Sequence, residues 1–186
     1  MNLLEAVNTV LPYLGSHFMT SIENTQNPTV SLIVSSIERH RKSLISKGWW
    51  FNKVVETLPV NTDGRITLPT YCVALYSLDN RNVEKQGSYL FDLDNNTRYF
   101  TEAVKVIMVK DTTFEELPHY AQMVVAYRAC AEVYVQDYEY NNTLQIINSI
   151  VAENLRDLQQ EDIRKMSYNV TNTYASKFKS MRRPFR

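Results

Sequence analysis

Residues that could bind a metal ion or carry out acid–base chemistry are scattered along this 186-residue chain. The three histidines lie far apart, and none has a second ligand at metal-binding spacing: His17, His40 and His119. Segment 92–96 (Asp-Leu-Asp-Asn-Asn) resembles a calcium loop but lacks its glycine and distal glutamate, so we predict a β-turn. The adjacent acids Glu115 and Glu116 point apart on a helix. We therefore predict no metal site and no acid–base pair.

The sequence also has no motif of a catalytic nucleophile or of a phosphate-binding loop. Cys72 and Cys130 are the only cysteines, and neither lies in a nucleophile or metal motif. The four glycines do not have the spacing of a phosphate-cradling loop. The sequence predicts a protein that is not an enzyme and has no cofactor. We also expect neither a signal peptide nor a membrane span, and hence a soluble chain made and used in a reducing cytoplasm.

The charge of the chain is strongly divided, although its net charge is zero. Residues 1–162 contain 13 basic and 20 acidic residues, which gives a net charge of −7. Residues 163–186 contain seven basic residues and no acid. A basic end on an acidic body indicates attachment to another subunit, a partner protein or a phosphate backbone.

Aromatic residues lie among these terminal charges, as in docking peptides and nucleic-acid-binding arms. We predict that the segment from Tyr168 to Arg186 docks onto a partner, and composition leaves open whether that partner is protein or nucleic acid. The residues predicted to make the contact are Lys177, Phe178, Lys179, Arg182, Arg183, Phe185 and Arg186.

Apolar spacing predicts four helices, at about 3–14, 28–47, 118–140 and 144–163. Asn27 and Pro28 have the form of a helix start, and segment 113–116 has the form of a capping box. Residues 49–110 are rich in short strands and turns, with a hairpin signal at Asp63-Gly64. After Met166 the periodicity fades, which predicts an extended tail.

The expected fold is therefore α+β and mainly α: a four-helix bundle with a small β subdomain inserted between the second and third helices. The expected domains are 1–48 and 111–167 (bundle), 49–110 (β subdomain) and 168–186 (extended docking tail). At the junction, Gly48 is expected to let the chain leave the helix with positive φ. Trp49 and Trp50 follow it, and at least one of them should pack between bundle and β part.

Four stretches, in order, resemble the tail tubular protein A family, the head-to-tail adaptors of short-tailed bacteriophages. They are residues 5–15 (EAVNTVLPYLG), 46–52 (SKGWWFN), 64–69 (GRITLP) and 114–118 (FEELP). Tyr168-Asn169 also matches a pair near the end of the family's globular part.

The resemblance implies a structural virion protein of the tail or neck that functions in DNA ejection. It implies a homo-oligomer, a dodecameric ring, that joins the portal protein to the tail nozzle protein. Double-stranded DNA would pass through its channel without specific binding. A C-terminal extension would grip the portal. From the residues alone, a nucleic-acid-binding module using the basic tail is the alternative, and solution size would separate the two.

Overall fold

The computed structural model describes residues 1–23, 27–78 and 81–181, with all their side chains except those of residues 137 and 167–181. Four α-helices, one short 3₁₀ helix (Leu11–Leu14, directly after α1) and five strands are found in this part of the chain. The helices are α1 (Leu3–Val10), α2 (Pro28–Ile45), α3 (His119–Asp137) and α4 (Asn142–Met181). The strands are β1 (Lys53–Leu58), β2 (Cys72–Ser77), β3 (Val83–Gln86), β4 (Tyr89–Asp92) and β5 (Val104–Lys110).

Helix α3 is central, because α1, α2 and α4 each pack against it. Their apolar faces form one core, to which the sheet region adds Trp49 and the partly buried Val73 of β2. A second core lies under the strands and contains Leu58, Ile66, Leu90 and Val106. Antiparallel strands form a three-stranded sheet in the order β1-β5-β2, and β3 and β4 form a separate two-stranded sheet.

The expected four-helix bundle with one inserted β subdomain is wrong. The described chain forms four helices together with two antiparallel sheets. The helices share one core, but they do not contribute to it as four comparable helices of a bundle. Here α1 has only eight residues, and α4 buries just Leu144, Ile147 and Leu158 among its described side chains. Whether residues 49–110 form a domain of their own stays a prediction.

The expected extended tail is also wrong as far as the structure describes it. Helix α4 continues without a break to Met181, so the segment after Met166 is helical and not extended. The polar residues of this segment weaken the apolar period without preventing a helix, because Ala, Ser, Lys and Met all tolerate one. The last five positions, 182–186, lie outside the described residues.

Local signals at helix ends had mixed outcomes. The start of α2 is confirmed: the Asn27 side chain accepts a hydrogen bond from the Thr29 backbone N–H at 3.0 Å. Only half of the predicted box at 113–116 forms: Glu116 accepts a bond from the Thr113 N–H at 3.1 Å, but its own N–H donates to the Thr113 carbonyl at 3.2 Å and not to the hydroxyl. It closes a turn, however, because α3 begins later, at His119.

The hairpin predicted at Asp63-Gly64 is not formed as expected. Strand β1 pairs with β5, more than forty residues further along the chain, in the register Lys53↔Val109 to Leu58↔Val104. The segment after the turn makes only isolated bridges, such as Arg65 with Tyr99. Burial explains the pairing: β5 has four fully buried side chains, which a short local hairpin could not match.

Polar side chains also join α2 to α3. Glu132 of α3 accepts a hydrogen bond from the Ser36 hydroxyl at 2.7 Å, and its carboxylate lies 2.8 Å from Nε2 of His40. Burial lowers the pKa of His40 below its ordinary value of 6.5, and the neighbouring Glu132 only partly offsets this. Burial raises the pKa of Glu132, but hydrogen bonds from Ser36 and Arg39 outweigh it, so this pKa is lowered.

We therefore expect stability to fall as the pH drops from 7.5 to 5.5. The folded state binds the His40 proton less readily than the unfolded chain does, so acid favours unfolding below about pH 6.5. His40→Gln should reduce this dependence, as measured by urea midpoints at the two pH values. His17→Gln, at an exposed position, is the control. An unchanged pH dependence in His40→Gln would contradict this assignment.

Candidate interaction surfaces

The junction between α2 and the sheet is built around a side chain that the sequence did not single out. Asn52 is only 2% exposed, and its amide donates to the carbonyls of Ile45 at 3.0 Å and Lys110 at 3.1 Å. Its side-chain oxygen accepts the Trp49 backbone N–H at 2.7 Å. Asn52 thus ties the end of α2 to the end of β5. A lone Asn in an aromatic run carries no sequence signal for this role.

Gly48 and Trp49 lie within this junction. Gly48 has φ +69°, and a side chain there would meet Val109 and Lys53. Trp49 is 6% exposed in the helical core and donates its indole N–H to the Leu44 carbonyl at 2.8 Å. Their predicted structural role stays a prediction, and a substitution of Gly48 tests it.

Trp50 lies at the surface beside α4. Its ring packs edge-on against Phe51, with centroids 5.0 Å apart. Its backbone N–H donates to the Asp162 carboxylate at 2.9 Å. A groove of about 930 Å³ opens here, lined by Trp50, Tyr120, Asp157, Gln160, Glu161, Arg164 and Lys165. Mixed charge and open aromatic edges are typical of contact surfaces and not of an enclosed catalytic pocket.

The large apolar side chains described on α4 just beyond Asp162 are exposed to solvent. Ile163 and Met166 are 64% and 37% exposed, although both are large and apolar. The helix backbone then continues through the predicted docking residues Lys177, Phe178 and Lys179, whose side chains are not described. Arg182, Arg183, Phe185 and Arg186 lie outside the described residues. The docking role of all seven stays a prediction.

An ion-pair cluster centred on the buried Arg41 lies near the same, C-terminal end of α2. Arg41 is 7% exposed and donates to both carboxylate oxygens of Glu38 at 2.7 Å. It also donates to Asp111 at 2.5 Å and to the Thr112 carbonyl. The cluster therefore joins α2 to the segment that follows β5.

The other reactive side chains are placed as structural residues. Burial raises the pKa of the Cys130 thiol to about 12 and raises that of Cys72 as well, so both stay protonated near neutral pH. Asp92 accepts the backbone N–H groups of Asp94 and Asn95 at 2.9 and 3.0 Å, which confirms the predicted turn.

Within the described residues, no group of three acidic, Cys or His side chains could hold a metal ion. None of the helices in that part has both the length and the hydropathy to cross a bilayer.

Comparison with known proteins gives the family. A family model described as tail tubular protein matches residues 4–178, which is almost the whole chain. The chain belongs to the tail tubular protein family. It is similar to tail tubular protein A of Klebsiella phage KP34, with 37% identity over 139 residues, 74% of this chain and 74% of that protein. A chain of this family is a structural component of the phage tail, and the resemblance seen in the sequence is confirmed.

The match also extends over the exposed part of α4. It ends at residue 178, so it includes helical positions well past Asp162, the last described anchor of that helix. Most of the C-terminal half of α4 therefore lies in the region that the family model matches.

Proposed function

We propose that this chain is the head-to-tail adaptor of a short-tailed phage. Twelve copies form a ring between the portal and the tail nozzle and extend the DNA channel, and the ring assembles in the host cytoplasm. The observation that carries the proposal is the C-terminal half of α4, which continues past the last described hydrogen bond between this helix and the body. From Ile163 to Met181 it has 19 helical residues, about 28 Å, with exposed apolar side chains at its start.

A helical segment of this length is not expected to be stable in water without tertiary contacts. Isolated helices shorter than about 15 residues are marginal even in Ala-rich sequences, and most helices depend on tertiary packing. Ile163 and Met166 are exposed in the single chain, so a partner that covers them would stabilise the helix. We infer that the tail segment, residues 177–186, is carried by α4 to an acidic and partly apolar surface of the portal.

The charge division suits a channel wall. Residues 1–162 carry a net charge of −7, so a ring of these bodies presents acidic surface. Acidic walls repel phosphate and allow DNA to move without adhering. We expect a chain ending at Asp162 to show no tight DNA binding at 150 mM salt by fluorescence anisotropy. Tight, sequence-independent binding would contradict a passive channel.

Deleting the tail segment tests portal docking. We expect the shortened chain to fold normally and to bind purified portal rings at least about 100-fold more weakly, because a few central anchors carry most interface energy. Co-sedimentation and electron micrographs of the mixture measure this. Unchanged assembly on the portal would contradict the docking role.

Two substituted chains separate the contributions of charge and anchoring. Changing the five basic residues of the tail segment to Gln should slow association and remove its salt dependence. Changing Phe178 and Phe185 to Ser should instead speed dissociation. If the deletion abolishes DNA binding by the full chain and leaves portal binding intact, the alternative, a nucleic-acid-binding module, is favoured.

A further inference from the structure

The outer face of the three-stranded sheet is only half covered. Its inner face packs onto the second core, with Val54, Val106 and Met108. On the outer face, the register sets Val55, Ile107 and Tyr76 side by side across β1, β5 and β2. Val55 and Tyr76 are 54% and 50% exposed. An apolar row across three strands is thus open to solvent.

Helix α4 extends this apolar row. Met166 and Trp50 line a groove of about 230 Å³ together with Val55 and Ile107. We call these residues, with Tyr76, the sheet face. The outward positions of the three strands carry two lysines and no acid: Lys53, Val55, Thr57, Ala74, Tyr76, Lys105, Ile107 and Val109. The sheet face is therefore apolar with a basic edge.

A second apolar surface has the opposite charge. The groove between α1, α2 and the segment before α3 has a volume of about 360 Å³ and is lined by Leu3, Val34, Ile37, Glu38, Arg41, Thr113, Phe114 and Glu115. We call it the acidic groove. Its lining has two carboxylates, those of Glu38 and Glu115, against one cation, Arg41. Asp111, Glu116 and Lys42 contact the lining residues Arg41, Thr113 and Glu38, so the carboxylates outnumber the cations here as well.

Most of these charged groups already have a partner within the chain, and one carboxylate does not. Arg41 is held by Glu38 and Asp111, and Lys42 lies 3.3 Å from Glu38. Glu115 is exposed and has no ion pair among the described residues. The Glu115 carboxylate can therefore form an ion pair with a cation on an apolar surface that docks in the groove.

We propose that the sheet face of one copy docks in the acidic groove of a second copy. The inference rests on the proposed ring, because a ring needs two different, complementary surfaces on each subunit. Lysines at the edge of one surface and carboxylates around the other favour this pairing and disfavour each surface meeting itself. The apolar centres, Val55 and Ile107 against the partly exposed Leu3 and Val34, would supply the desolvated contact.

The test uses variants of the full chain in sedimentation velocity. Val55→Asp disables the sheet face, with Tyr76→Ser as a second variant in case the first fails to fold. Val135→Asp is the matched control, because Val135 is 57% exposed on α3 and belongs to neither surface. Leu3→Ser with Glu115→Arg disables the acidic groove, and Glu115→Arg alone is the milder version.

We expect wild type and the control to associate with rising concentration. The sheet-face and groove variants should raise the dissociation constant by at least about 30-fold. An equimolar mixture of the two disabled variants should form dimers and nothing larger, since it retains one competent contact per pair. Association of the groove variant as strong as wild type would overturn the inference. So would a wild type that stays monomeric up to about 1 mM, or an equal loss in the control.

Electron micrographs with the portal distinguish this inference from the adaptor proposal. If the sheet-face and groove variants still form closed rings on the portal, the docking inference fails and the adaptor stands. If wild type forms no ring on the portal, the adaptor proposal fails. If only wild type and the Val135→Asp control form rings on the portal, both the docking inference and the adaptor proposal are supported.

Discussion

Replacing Gly48 with valine lowers the free energy of unfolding by about 3 kcal/mol, the combined effect of a left-handed backbone and a steric clash. Gly48 has φ +69°, a conformation that a β-branched residue strongly disfavours. A Cβ there would lie 3.0 Å from Cγ2 of Val109, which is itself fully buried, and 2.8 Å from Cε of Lys53. The lysine chain can move aside, but Val109 cannot.

Gly87→Val is the matched control for this result. Gly87 has a nearly equal φ of +64°, but a Cβ there would meet nothing within 4 Å. Gly87→Val should therefore lower the free energy of unfolding only by the backbone contribution, about 1–2 kcal/mol. Urea denaturation of both variants measures the difference. A Gly48→Val chain of normal stability that fails only to assemble would show that the junction is an assembly surface and not a packing hinge.

Arg41→Met should destabilise the fold by about 2 kcal/mol, near the lower end for breaking a buried ion pair. The guanidinium is buried, but Glu38 and Asp111 are 47% and 46% exposed, so water can solvate them once it is lost. Arg39→Met is the control two residues earlier on the same helix. Arg39 is exposed and pairs with Glu132, so its removal should cost less than about 1 kcal/mol.

The same variant should change the acid stability. Hydrogen bonds from Arg41 are the main cause that lowers the pKa of Glu38 below 4.5, although burial opposes them. A carboxylate with a lowered folded pKa contributes fully above the unfolded value and loses that contribution as the pH falls through the folded one. The stability gap between wild type and Arg41→Met should therefore be constant above about pH 5 and narrow below pH 4. A gap that widens in acid would contradict this assignment.

Helix positions were predictable because they depend on local patterns. The apolar spacing of α2 and the Asn27-Pro28 start gave that helix to within a few residues. Glycines at helix ends were also readable: Gly15 and Gly48 both have positive φ just after a helix. These features need only neighbouring residues, so the sequence contains enough information to locate them.

Sheet order and helix length were not predictable, because distant contacts determine them. Nothing local shows that β5 takes the central place between β1 and β2. The Asp63-Gly64 turn favoured a local partner for β1, and burial of the β5 side chains overrode it. Asn52 and Arg41 were missed for the same reason, since their partners at Lys110 and Asp111 are more than fifty residues away.

The hydrogen bond from Trp50 to Asp162 has a geometric consequence. It is the last described point at which α4 is fixed to the body, and the helix continues for 19 residues beyond it. A rod of about 28 Å that tilts by about 10° at its base moves its tip by about 5 Å. That shift is one whole turn of helix. A small change of angle at Asp162 is therefore amplified along the helix to a much larger displacement at its far end.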